Sequence, residues 1–146
     1  MANADSVGQN TQDSFSNYRL GRIQATQLNT AGNAVITIPL LVGGLTNSGN
    51  TTTSGAVIVR RVTIQNPSGS IASANISIGT TNNGANLVTA NTVLSSVSAG
   101  GTFQDITPTA TLVSGNVTSC LYVNVNTASG NANTADIVVW GDVVNF

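Results

Sequence analysis

Few side chains in this chain can move a proton, attack a carbon or hold a metal. It has no histidine, lysine or glutamate. Its charged residues are four arginines (Arg19, Arg22, Arg60, Arg61) and five aspartates (Asp5, Asp13, Asp105, Asp136, Asp142). Without histidine, the commonest general base and metal ligand is missing. Without lysine, Schiff-base chemistry and the phosphate-loop motif are missing as well. Cys120, the single cysteine, has neither an imidazole to activate it nor a second thiol to bridge. Paired aspartates are the remaining catalytic option. Asp136 and Asp142 share one face of the last predicted strand, about 20 Å apart. Glycosidase carboxyls stand roughly 5 to 9.5 Å apart, so only a fold that brings in Asp105 leaves a hydrolase open. A calcium loop needs clustered carboxylates, and each aspartate here stands alone. The expectation is therefore no enzyme, no cofactor and no metal, with each aspartate solvated in a loop or at a strand end.

The elements that must position these residues read as strands. A chain of 146 residues fits one domain able to bury about two thirds of its unfolded surface. Only 6% of it is charged and the formal net charge is −1, which gives nucleic acid no basic footprint. With 40% apolar residues, disorder driven by charge is ruled out. Residues 1–17 are polar, with too few apolar side chains to order themselves, and read as an N-terminal arm before a single domain over 18–146. Predicted strands follow at Tyr18–Leu28, Ala34–Leu41, Ala56–Asn66, Asn75–Gly79, Asn86–Ser95, Thr102–Thr107, Ser119–Asn126 and Ala135–Val144. They are separated by segments dense in Gly, Pro, Asn, Ser and Thr. Ile36, Ile38 and Leu40 alternate with polar or non-core positions, as do Ile76 and Ile78, and Leu121, Val123 and Val125. That period gives one buried and one open face per strand. Eight such strands predict an all-β, two-sheet sandwich, jelly-roll-like by strand number, with an immunoglobulin-like sandwich as the alternative.

Addresses and anchors are absent from the pattern. The start, Met1-Ala2-Asn3-Ala4-Asp5, lacks a basic and an apolar region, so no signal peptide is predicted. The longest apolar stretch, Ala34–Leu45, is interrupted by Thr37, Pro39, Gly43 and Gly44 and is too short for a membrane span of about 20 residues. Glycosylation triplets at Asn50, Asn75 and Asn116 are expected by chance in a chain this rich in Asn, Ser and Thr. The expected setting is a cytoplasm in which the protein is made or assembled.

Eight residues stand out as partner contacts. Arg60 and Arg61 are adjacent on a strand, so strict alternation sends them to opposite faces. One reading has a guanidinium reaching solvent at the strand end; the other pairs it with an aspartate of another subunit. Trp140 has the parity of Asp136 and Asp142, opposite Ile137 and Val139, and Tyr122 lies opposite Leu121 and Val123. Trp140 is thus either a core residue of reversed parity or a subunit contact, where Trp and Tyr are enriched. A sugar-stacking platform is a third option. Phe15, Tyr18, Arg19 and Arg22 lie where the arm meets the first strand, placed to cover the end of the sandwich or to grip a partner.

The segments VIVRRVTIQNPSGSIASANISIGT (Val57–Thr80) and LYVNVNTASGNANTADIVVWGDVV (Leu121–Val144), with LVTANTVL and FQDI between them, resemble small virion proteins of tailed bacteriophages. Within these, the likeness is to the decoration, or cement, proteins of capsid exteriors. It covers roughly residues 55–146 and rests on an Asn-Pro-Ser-Gly turn after an arginine-bearing strand and a last strand ending Trp-Gly-Asp. It carries no binding residue over position by position. The resemblance implies a sandwich, often jelly-roll-like and usually trimeric, that binds the major capsid protein at three-fold positions and locks the expanded shell. The expected function is that of a virion structural protein on the capsid exterior, a homo-oligomer without nucleic-acid or membrane partners. The alternative is a carbohydrate- or receptor-binding module of a virion appendage. The composition is in keeping with this, because a surface nearly devoid of charge gives a free monomer little colloidal protection. Uncharged side chains also desolvate at lower cost than ionised ones against neighbouring subunits.

Overall fold

A computed structural model of the chain describes residues 18–39, 55–82, 87–109, 112–113 and 120–145. The described residues form strands and no helix, as a sequence rich in β-branched residues and poor in helix formers should. In chain order the strands are β1 (Tyr18–Gln27), β2 (Gly32–Pro39), β3 (Gly55–Gln65), β4 (Asn75–Gly79), β5 (Leu87–Val93), β6 (Gln104–Ile106), β7 (Leu112–Val113), β8 (Cys120–Thr127) and β9 (Thr134–Asn145). The predicted strands are all present, within a few residues at their ends. The two-residue β7 falls in what reads as a loop, since a pair of apolar residues carries no period.

Two antiparallel sheets result. The first has the order β1-β9-β3-β6, with β7 also pairing with β3; the second has the order β2-β8-β4-β5. Pairing is nested. The first described strand lies against the last, β2 against β8, β3 against β6 and β7, and β4 against β5. The sheets face each other across one core. From the first come Val62, Ile64, Ile137 and Val139; from the second come Ile38, Ile76, Ile78, Leu121, Val123 and Val125. Alternation in β8 and β9 puts these side chains inward, and each fully buried Val or Ile contributes about 2 kcal/mol relative to exposure.

The ends are closed by loop residues. Ile71, Leu94 and Val97 are buried with the core, and backbone bonds from Ile71 N to Val97 O and from Leu94 N to Ala74 O satisfy the chain there. Abundant Asn has a visible use. The Asn131 and Asn133 amides both donate to Ser70 O, and Ser68 N donates to Thr134 O. Two polar loops are thereby tied together by amides rather than by charges. That satisfies the Ser70 and Thr134 carbonyls within the chain.

Candidate functional site

Every charged residue among the described ones lies on the first sheet: Arg19 and Arg22 on β1, Arg60 and Arg61 on β3, Asp105 on β6, Asp136 and Asp142 on β9. Irregularities in the ladder decide how they meet. Between Ala135 and Ile137 the register of β1 jumps from Thr26 to Ile23, so Asp136 faces two residues, Gln24 and Ala25. Between Trp140 and Gly141 the register of β3 jumps from Arg61 to Val59, leaving Arg60 as the extra residue. Such bulges redirect side chains. Val59 and Val62 are consequently both fully buried although three positions apart.

Asp136 is the best-held of these groups. Only 6% exposed, it accepts three hydrogen bonds. Arg22 Nη2 (2.6 Å) and Asn66 Nδ2 (2.9 Å) donate to Oδ2, and Ala25 N (2.9 Å) donates to Oδ1. Ala25 (φ 48°) and Asn66 (φ 51°) are both left-handed, a region that costs a residue with a Cβ about 1 kcal/mol. The carboxylate thus fastens two unfavourable backbone positions, one in the β1 bulge and one just after β3. Burial pushes its carboxyl pKa up, but the hydrogen bonds from Arg22, Asn66 and Ala25, with the guanidinium charge, outweigh this and hold it below the ordinary aspartate value. The expectation of a solvated aspartate is corrected here: this one lies within the sheet, under a guanidinium.

Next to it stands a cluster around Trp140. The indole is half-buried on the face away from the core, with the Arg61 guanidinium 5.3 Å from its ring centre, within cation–π range. Its Nε1 donates to Thr63 Oγ1 (3.1 Å), and the Thr63 hydroxyl donates to Asp105 Oδ1 (2.6 Å). Asp105 Oδ2 lies 3.7 Å from Arg61 Nη1. Trp140 is therefore not a core residue. Its opposite parity to Ile137 and Val139 is the correct reading, and the guanidinium above it and the bonded Nε1 leave less of the ring for a sugar.

Arg60 Nε donates to Asp142 Oδ2 at 2.9 Å, with Arg60 exposed and Asp142 half-buried. The bulge thus corrects the expected opposition of Arg60 and Arg61, since each meets an aspartate of the first sheet, on β9 and on β6. The aspartate partners suggested for another subunit are supplied within the chain. Arg19 is exposed, in register opposite Trp140 on β1, and has no ion pair among the described residues. Asp136, Asp142 and Asp105 each face a different arginine. No group of three or more potential metal ligands occurs among the described residues.

The outward positions of the second sheet carry no charge. Asn126 Nδ2 donates to Asn91 Oδ1 (2.6 Å) and Asn75 Oδ1 (3.3 Å), and Ser77 and Asn124, in register with each other, are both buried. Asn124 Nδ2 has no hydrogen-bond partner. Tyr122 shares that face with Cys120; their hydrogen bond, then their charge interaction, push the phenol pKa up from its ordinary value. Phe15 and the arm over 1–17 lie outside the described residues, as does most of Val42–Gly55, and of Tyr18 only the backbone is described. Sequence reasoning missed Asn66, Thr63 and Ala25, which become informative only once the strand register is known.

Comparison with protein families, curated proteins and solved structures finds no match for this chain.

Proposed function

We propose that the chain is a virion structural subunit, a sandwich that assembles with copies of itself and docks on the outside of a phage capsid to reinforce the shell. The observation that carries this reading is the division of the two outer faces. One sheet holds all the described charges, with three of its four arginines turned onto aspartates of the same sheet. The other presents Asn75, Asn91, Tyr122 and Asn126. A face of amides and hydroxyls meets a protein surface without the cost of stripping water from ions, and its donors and acceptors suit backbone groups. The nested strand order supports the jelly-roll form of the sandwich, and the likeness of 55–146 to decoration proteins points the same way.

Reinforcement works by mass action. A subunit that binds only the closed shell stabilises it by its binding free energy and shifts the opening equilibrium accordingly. Residues 1–17 are assigned the role of a clamp between subunits. Deleting them is expected to leave the sandwich folded while lowering occupancy on purified capsids. Unchanged occupancy refutes the clamp, and failure of the full chain to bind any capsid of its source phage refutes the reading as a whole.

A further inference from the structure

Matching each arginine with its aspartate on the first sheet leaves a remainder. Arg22 is taken by Asp136 and Arg60 by Asp142, at 2.6 and 2.9 Å. Arg61 reaches Asp105 only at 3.7 Å, beyond a hydrogen bond, and stacks on Trp140 instead. Arg19 has no ion pair among the described residues. The two edge strands of the sheet therefore differ in sign. β1 carries Arg19 and Arg22 and no acid; β6 carries Asp105 and no base. Asp105 is well exposed and retains an oxygen without a close donor.

Beside Asp105 is the most exposed large apolar side chain among the described residues, Phe103 (60%), followed by Val93 (50%) at the end of β5. Gln104 holds this corner together. Its Nε2 donates to Val93 O (2.9 Å), and its Oε1 accepts from Ser96 N (3.1 Å). An acidic group with an exposed aromatic neighbour at one edge, and a guanidinium without an ion pair among the described residues at the other, are complementary to each other and not to themselves.

We infer that copies of this chain associate head to tail through opposite edges of the first sheet. The β1 edge of one copy, with Arg19, meets the β6 edge of the next, with Asp105 and Phe103. The inference rests on the reading that the chain assembles with its own copies, and names the surface by which it does so. Like edges placed together oppose Arg19 to Arg19 or Asp105 to Asp105, an arrangement that costs binding energy. Unlike edges form a heterologous contact, which closes into a ring when the rotation between copies allows. Arginine suits such a pairing because its planar fork matches a carboxylate in two places. Phe103 supplies the apolar anchor that an ion pair at the rim does not.

The test is sedimentation velocity over a concentration series on the full chain and on Arg19→Asp, Phe103→Asp, Asp105→Arg and the doubly reversed Arg19→Asp/Asp105→Arg. Each single change is expected to weaken association about tenfold or more, and the double reversal to recover most of it. Trp140 fluorescence checks that each variant is folded. Should Asp105→Arg fail that check, Arg19→Asp and Phe103→Asp decide, since neither residue has a charged partner among the described residues. A wild type that assembles and is indifferent to these changes overturns this surface while leaving assembly intact. A wild type that stays a single chain at every concentration overturns the assembly reading itself, and this inference with it.

Discussion

Replacing Asp136 by alanine removes one acceptor group from three donors at once. The Ala25 amide and the Asn66 side chain each lose a hydrogen bond worth about 1 kcal/mol net. The Arg22 pair falls between the limits for exposed and buried salt bridges, because its side chain is 31% exposed while that of Asp136 is 9%. Screening brings its contribution to about 1 kcal/mol rather than the 3 to 5 of a fully buried pair. The expected loss for Asp136→Ala is therefore about 3 kcal/mol, or a fall in Tm of about 10 °C for a domain of this size. Urea unfolding followed by the single tryptophan, Trp140, measures it, with the slope against urea unchanged. Asp136→Asn keeps an acceptor for Ala25 but turns an amide N–H toward a cation, so about 2 kcal/mol is lost. The folded pKa of Asp136 lies below its unfolded value. Its contribution is thus complete above the unfolded value of about 3.9 and disappears as the pH falls through the lower folded one. The asparagine variant lacks that part of the acid dependence. A loss below about 1 kcal/mol for the alanine variant, or identical acid curves for wild type and Asp136→Asn, refutes the account of this carboxylate as a fastening.

Three further outcomes follow from the same sheet. A Cβ at Gly141 would collide with Ile58 O and come within 2.9 Å of Leu20 Cδ1, so Gly141→Ala is expected to cost about 3 kcal/mol or more in urea unfolding. Near-neutral behaviour there refutes the close approach of β9 to β3. Trp140→Phe keeps the aromatic surface but removes the donor to Thr63, with an expected loss of about 1 kcal/mol by calorimetry. Arg60→Ala breaks only an exposed pair and should change stability by less than about 1 kcal/mol; a larger loss shows that the bulge depends on it.

Strand positions were legible because alternation is local. Asn75–Gly79 is predicted at its observed bounds, and Leu121, Val123 and Val125 point inward as their period requires. Trp140 was legible as far as its face, since Ile137 and Val139 mark the other side. Its contacts were not, because Thr63 and Arg61 come from a strand about 77 positions away, as the hydrogen bond to Thr63 shows. The bulge at Arg60 did leave a trace. A strand that buries both Val59 and Val62 cannot alternate strictly, and the conflict between Val57/Val59 and Val62/Ile64 marks where the extra residue sits. Which of Arg60 and Arg61 it would be depends on register with Trp140 and Gly141. The left-handed Ala25 carries no sequence signal, since alanine is among the less suited residues for that conformation. Only the carboxylate opposite explains it.

The position of β9 governs when the molecule can become itself during synthesis. This strand lies between β1 and β3, and its aspartate reaches an arginine 114 positions earlier. Until the ribosome has released residues 134–145, β1 and β3 have no neighbour to share and the first layer has a gap at its centre. Closure of so long a loop is slow, and in the interval the unpaired rims of β1 and β3 invite strand exchange between nascent chains. A polypeptide of this topology completes its first layer only once residues 134–145 have emerged, and its yield should depend on how crowded with siblings that interval is.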